Sequence, residues 1–548
     1  MRVREPFAGP GRPPAPARSV VTNPPLRTGT RFGRTLLACA LAAACAGPAP
    51  EGPAPEPAVQ PEAAAPSAVL DRLAEEALDR GELDVAEARF RRLARARPDS
   101  PRGHAGLGRV ALARGDRSAA RRHFDAALAA DPDDVDARFG LAEVERQEGD
   151  RGAALAHLRR ALARDPSRPE IHARLAELTG PAPRGDTPSP PEALRLAEAH
   201  PYDPWALLGA AEALQRAGRS DAARGYLEKA VWLADLDPAS ATEAARRLAV
   251  LDGESAGFRV VPVHLYADES IRARIGWRFR LRMVLAWVSN ALHEILQTRF
   301  VPASIGAFRS ARVSDDLQAI DLAFRRGVRE GPEPGIRAAF TDRPMPQRTG
   351  IRKRGLAEFL GRNLTVRLEP GSVESRVLAH EILHLYGAMH VTEAVDSLMN
   401  PEGASMQLDR ASYGIVRATR KRTFRGGGPN RDLLPWIDLD ETIAAYEAAL
   451  ALNLTFRKLG LQKAREAQRV SRYQAANQAR EAIRMDEHLA DVLALVSTLL
   501  QADARPVEAL RFLESAAALY GPDTSRGRRT AASAERLRRQ LLRAYDIE

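Results

Sequence analysis

His380-Glu381-Ile382-Leu383-His384-Leu385-Tyr386-Gly387-Ala388-Met389-His390 gathers three histidines, a glutamate and a glycine into one run, in a chain with only 11 histidines among 548 residues. His380 and His384 are four apart, so on a helix both rings leave the same face about one turn apart. That spacing suits two imidazoles on one tetrahedral zinc ion, with Zn–N about 2.0–2.1 Å. A third histidine further along the same helix would point away. Gly387 tolerates left-handed backbone, so the helix can stop there and the chain can bend His390 back toward the first two. Three neutral imidazoles leave one position open for water, and Glu381 adjoins the first ligand, where it can take that water's proton. The run therefore predicts one catalytic Zn2+ on His380, His384 and His390, with Glu381 as the general base.

This H-E-x-x-H-x-x-G-x-x-H pattern, followed by Ser397-Leu398-Met399-Asn400-Pro401, resembles the signature of the metzincin zinc metallopeptidases. The resemblance covers about 255–425. It implies an α/β catalytic domain with a twisted mixed sheet, hydrolysis of peptide bonds in protein or peptide substrates, and Met399 in a Met-turn beneath the histidines without being a ligand. It also implies that Gly355-Leu356-Ala357-Glu358-Phe359 is the edge strand beside which substrate adds as a further strand. An ordinary buried strand is the other reading of that piece. Val391 differs from the Asp of adamalysin-like enzymes and the Glu of astacins. Asn400-Pro401 lacks the tyrosine that follows the Met-turn in astacins and serralysins, so no subfamily is implied. No cysteine lies between the N-terminal segment and this region, which excludes a matrixin-like thiolate latch.

Outward from the motif, Arg259 to Tyr266 is β-branched and reads as a strand, with Pro262 pointing to a sheet edge or strand end. Apolar residues at three- and four-residue steps predict a helix over Trp277 to Leu296. Further strands are expected at Arg299 to Phe308, Ile336 to Thr341, Leu356 to Leu360 and Asn363 to Leu368. Helices are expected at Ser314 to Arg329 and Leu408 to Lys421, and Ser372 is the expected N-cap of the motif helix.

Helical repeats flank this region. Gly81, Gly115 and Gly149 are spaced by 34, as are Pro98, Pro132 and Pro166, and the same register aligns Ala86, Ala120 and Ala154. This pattern resembles the tetratricopeptide repeat. Glycine ends the first helix of each pair, alanine lets the two helices approach, and Phe90, Phe124 and Leu158 fill the core between repeats. A fourth repeat is split by the Pro-rich insert Pro181 to Pro191, and a fifth follows at Gly218, Ala223, Leu227 and Ala230. Ala504, Ala509, Leu513 and Ala516 keep the same spacing more weakly. Repeat solenoids present concave surfaces to peptides and partner proteins; a buttress for the catalytic region is the other reading.

The N-terminus carries an address. Basic Arg27, Arg31 and Arg34 precede the short apolar run Leu36 to Ala44, which is too short to span a membrane and reads as a signal peptide. Ala42-Ala43-Ala44-Cys45 resembles a bacterial lipobox with Cys45 as the lipidated residue, although Ala42 stands where an aliphatic residue is usual. An ordinary secretory signal cleaved nearby, or a transit-like leader, is the alternative.

The net charge of +10 comes almost wholly from arginine interleaved with Asp and Glu, as on solvated helix faces, so no nucleic-acid partner is expected. The expected chain is thus multidomain: 1–45 signal peptide, 46–67 Pro/Ala-rich tether, 68–252 α-helical tetratricopeptide-repeat solenoid, 255–425 metzincin-like zinc peptidase domain, and 438–548 degenerate helical-repeat region. The expected location is the bacterial cell envelope, lipid-anchored at the outer membrane or secreted. Two alternatives stand beside the peptidase reading: a repeat-based envelope scaffold with a structural or inactive metal site, and hydrolysis of peptidoglycan cross-links.

Overall fold

The computed structural model describes residues 67–544 except 186–187, 252, 254–258, 312, 330–333, 345–353, 369–373, 392–394, 401–403, 425–439 and 449–489. The signal peptide, Cys45, the tether and Ser372 lie outside the described residues. The chain divides into two compact units, the second beginning at Asp133.

In the first unit the described helices are α1 (Ser67–Asp79), α2 (Leu83–Ala96), α3 (Pro101–Ala113) and α4 (Arg117–Ala130). Gly81 and Gly115 adopt φ +74° and +81°, and the next amides, of Glu82 and Asp116, bond back to Ala77 O and Ala111 O at 2.9 Å. These left-handed turns reverse the chain at the end of each first helix. Phe90 and Phe124 are fully buried and need space cleared for them. A Cβ on Gly106 would lie 2.2 Å from the Phe90 ring, and one on Gly108 would lie 2.5 Å from the Phe124 ring.

The second unit continues the pattern with α5 (Val135–Glu148), α6 (Arg151–Arg164), α7 (Pro169–Thr179), α8 (Pro190–Ala199), α9 (Pro204–Arg216), α10 (Ser220–Trp232) and α11 (Pro238–Leu251). The insert splitting the fourth repeat is tied down by buried Asp203, which accepts from Ala182 N–H and Arg184 at 2.9 Å while capping α9 through Trp205 N–H.

Next come β1 (Arg259–Ala267), α12 (Glu269–Arg272), α13 (Trp277–Leu296), β2 (Thr298–Ala307), α14 (Leu317–Gly327), β3 (Ile336–Thr341), β4 (Gly355–Ala357), β5 (Asn363–Arg367), α15 (Glu374–Leu385) and α16 (Arg410–Thr419). The strands form one mixed sheet in the order β2-β1-β3-β5-β4. All neighbours are parallel except β4, which runs antiparallel to β5. Every residue of β3 and β5 is buried, as expected for parallel strands covered on both faces.

Two sequence expectations are corrected here. Pro262 does not mark an edge strand, because β1 lies between β2 and β3. Pairing with β3 begins only at Val263, so the proline occupies the part of β1 with one neighbour, where its missing N–H costs no ladder bond. The strand expected over Leu356 to Leu360 covers only Gly355–Ala357. Leu360 sits at φ +55°, which ends any ladder.

The solenoid packs onto α13 within this unit. Arg282 donates to both Asp235 carboxylate oxygens at 2.8 and 2.7 Å, both side chains being nearly fully buried. His172, Tyr202, Trp232 and Phe279 form one ring cluster with centroids 5.3–6.4 Å apart.

The chain closes with helical residues 440–448 (α17) and 490–502 (α18), then α19 (Pro506–Tyr520) and α20 (Ser525–Ala544). Ala504 takes φ +55° and Arg505 N–H bonds Leu500 O at 2.8 Å, the same reversal that glycine makes in the N-terminal repeats. Ala509 and Ala516 are fully buried, as their N-terminal counterparts are. Among the described residues no helix is long and apolar enough to cross a membrane.

Candidate metal centre

α15 carries Arg376, His380, Glu381 and His384 and stops where the sequence says it should. Gly387 adopts φ +86°. Its N–H bonds His384 O, and Ala388 N–H reaches back to Leu383 O, both at 3.0 Å. This is the paired closure of a Schellman motif, which needs a left-handed residue at the turn. The chain then carries His390 to the open side of the first two rings.

The three Nε2 atoms converge. His380 to His384 is 3.1 Å, His384 to His390 is 2.9 Å, and His390 to His380 is 3.1 Å. His380 Nδ1–H donates to Leu398 O and His384 Nδ1–H to Ala388 O, each at 2.7 Å. A neutral imidazole whose proton is on Nδ1 has a bare lone pair on Nε2. The close contact between His380 and His384 Nε2 is therefore no hydrogen bond: two lone pairs face each other. Such an arrangement repels unless a cation lies among the donors, and carbonyl-fixed tautomers of this kind orient metal-ligating histidines. The donor set, all imidazole, suits zinc. Among the described residues these are the only three or more His, Cys, Asp or Glu side chains gathered closely enough to hold a metal ion.

Glu381 is buried beside them at 6% exposure. Gly355, the first residue of β4, lies directly on its carboxylate: a Cβ there would stand 2.2 Å from Oε1. Glycine at 355 is thus required for the edge strand to reach the glutamate, a role sequence reading did not assign.

Met399 is fully buried in the sheet–helix core together with Leu398, whose carbonyl holds His380. Val391 N–H bonds Met399 O at 3.1 Å, tying the residue after the third histidine to this turn. Arg376, one turn before His380, donates to Asn400 O at 2.6 Å and to Leu398 O at 3.3 Å. Its i−4 spacing from His380 was the available signal. Ser397 donates to Asp409 at 2.8 Å, and Asp409 also caps α16 by accepting from Ser412 N–H. The turn is thereby fastened at both ends.

Two further side chains brace the site and left no local signal. Buried Arg422 donates to Leu385 O at the end of α15, and to Leu360 O and Gly361 O at 2.9 and 3.0 Å. Leu360 N–H in turn bonds His384 O at 3.1 Å. Tyr446 on α17, fully buried, donates to Gly387 O at 3.3 Å. A Cβ on Gly387 would lie 2.1 Å from its hydroxyl, so glycine serves both the backbone turn and this contact. Met389 and Leu360 are buried in the same core as α17, α18 and α19.

Comparison with known proteins reaches the repeats. The tetratricopeptide-repeat family model matches residues 72–116 and 105–169. No curated protein matches the chain. Among solved structures, YrrB, described as a TPR protein with an unusual peptide-binding site, is 18% identical, with 33% of this chain and 92% of that one covered at a TM-score of 0.20. PilF of Pseudomonas aeruginosa is 17% identical, covering 34% and 93% at 0.19. TTC0263 of Thermus thermophilus, a thermophilic TPR protein, is 20% identical, covering 33% and 99% at 0.19. Repeats of this class commonly bind proteins or peptides. The N-terminal helices matched by the family model are tetratricopeptide repeats, followed in the same chain by further helices and a mixed-sheet region.

Proposed function

We propose that the chain is a zinc-dependent, metzincin-like metalloendopeptidase whose repeats recruit protein substrates or partners. The observation that carries this reading is the convergence of three histidine Nε2 atoms, two of them bare lone pairs fixed by carbonyl-bound Nδ1–H groups, beside a buried glutamate. The metzincin resemblance implies a strand, a helix, several strands and then the motif helix, and the run from β1 through α13 and the later strands to α15 is compatible with that order. His380, His384 and His390 would hold the ion. Bound there, zinc would acidify a water and polarise the scissile carbonyl. Glu381 takes the proton of the attacking water on a carboxylate oxygen and returns it to the leaving amine. The carbonyls of Leu398 and Ala388 keep the imidazoles in the tautomer that leaves Nε2 free for the ion. Gly355 leaves room for the glutamate against β4. Lipid attachment at Cys45 on a bacterial envelope is part of the same proposal and rests on the N-terminal sequence.

A second reading draws on the family match over 72–169: a repeat-based interaction scaffold with a structural metal site. Cleavage of casein with and without chelator separates the two. The peptidase reading expects chelator-sensitive cleavage, restored by zinc, and at least a hundredfold loss in Glu381→Ala. Stoichiometric zinc without cleavage of any protein would favour the scaffold. Full cleavage by Glu381→Ala would overturn the proposed general base.

A further inference from the structure

We infer that the cavity at the far end of β4, walled by the C-terminal helices, is a subsite for the extended polypeptide substrate; the inference rests on the peptidase reading. In the described sheet β4 is an edge strand. Its register pairs Gly355 with Val366, Leu356 with Thr365 and Ala357 with Leu364. Glu358 N–H bonds Asn363 O at 2.9 Å, and Arg367 N–H bonds Arg354 O at 2.8 Å. Backbone groups alternate sides along an antiparallel strand, so residues 354, 356 and 358 face β5. The N–H and C=O groups of Gly355 and Ala357 consequently face the outer edge, where an added strand would bond.

Those two residues have different surroundings. Gly355 touches the Glu381 carboxylate, and Ala357 lines a cavity of about 560 Å³. They are about 7 Å apart along the strand, at roughly 3.3 Å per residue. A substrate strand bonded to both would therefore pass from the general base into the cavity within two or three residues.

The cavity is built by both regions. The β4–β5 turn supplies Glu358, Phe359 and Leu360, and α18, α19 and α20 supply Asp491, Ala494, Tyr520 and Arg526. Its charges are matched in pairs: Arg325 lies 3.4 Å from Glu358, and Arg526 lies 3.1 Å from Asp491, which also accepts from the Tyr520 hydroxyl. Balanced donors and acceptors over an apolar floor suit peptide amides and polar side chains, with no net charge to select one sign. The size falls within the usual range of about 300–1,000 Å³ for ligand sites. The C-terminal helical block thus extends the cleft beyond the residues next to the scissile bond.

The test compares quenched tetrapeptide and decapeptide substrates of one core sequence on the full chain. For the wild type, kcat/KM should be at least tenfold higher for the decapeptide. In Ala494→Trp, which fills the cavity from α18, that ratio should fall at least fivefold. Arg526→Glu, on an exposed side chain, should lower the ratio at least threefold for a decapeptide with acidic ends. A ratio unchanged in both variants overturns the subsite. Should the wild type cleave neither peptide, the peptidase reading fails, and fluorescence anisotropy of the labelled decapeptide decides the cavity alone. Binding weakened at least fivefold by Ala494→Trp upholds it; equal binding overturns it.

Discussion

The sheet region is held by helical repeats at two places, and the two contacts differ in kind. The solenoid grips α13 through a buried ion pair, Arg282 with Asp235, and the ring cluster of His172, Tyr202, Trp232 and Phe279. The C-terminal block instead puts Tyr446 on Gly387 and encloses Met389 and Leu360 in its own core, so it packs against the turn that delivers the third histidine. The same class of helical packing anchors the sheet region in one place and shapes the candidate site in the other.

Tyr446→Ala and Arg282→Ala would break this comparison most directly. Removing a fully buried ring costs about 3–5 kcal/mol, and unpairing a buried charge costs a similar amount. The two should look alike in urea unfolding yet part in zinc binding. Tyr446→Ala should weaken zinc affinity by about 10- to 100-fold, as loss of an outer support does, whereas Arg282→Ala should leave it within twofold. Chelator competition on the folded proteins measures both. Equal losses would dissolve the distinction.

A smaller effect isolates the solenoid contact by pH. His172 Nε2–H donates to Pro166 O at 2.8 Å, so its Nδ1 accepts from the Tyr202 hydroxyl at 2.6 Å. Burial, with the Lys229 ammonium nearby, pulls His172 down to about 4, against a weaker upward pull from the Pro166 carbonyl and Asp165. The unfolded chain titrates near 6.5, so between these values it binds more protons than the folded one, and stability falls as pH falls through that window. From pH 7 to pH 5 the loss from this group should be about 2 kcal/mol. Urea unfolding of His172→Gln beside the wild type checks it; the mutant should lack that slope.

The smallest effect concerns how closely the two repeat regions correspond. Ala504 holds φ +55° where the N-terminal repeats have glycine. A left-handed alanine costs about 1 kcal/mol, so Ala504→Gly should stabilise the protein by that amount in thermal or urea unfolding. An Ala504→Gly variant that is destabilised would mean the C-terminal turn differs from the N-terminal ones.

Legibility in the sequence followed the range of the interaction. The 34-residue register placed the repeat turns at Gly81, Gly115 and Gly149, and the weak C-terminal echo at Ala504 has the same geometry. The helix over Trp277 to Leu296 matched α13 to the residue. Pro262 misled because a proline shows which backbone donor is missing, not how many strands lie alongside. Leu360 misled because its apolar side chain reads as strand while its backbone turns left-handed to meet His384 and Arg422.

By itself the sequence determined the things written in short-range stereochemistry. Two histidines one helical turn apart, a glycine where the helix must reverse, and alanines where helices must touch are statements about neighbours within a few residues. Only the tertiary structure decided the central position of β1, the closeness of Gly355 to Glu381, the bracing of the turn after α15 by Arg422 and Tyr446, and the cavity beyond β4. The Tyr446 contact joins residues 59 apart and the Arg422 contacts residues 37 to 62 apart. Over such separations no local periodicity carries a signal, and the partners are chosen by which buried surfaces and unmet carbonyls the folded chain brings together.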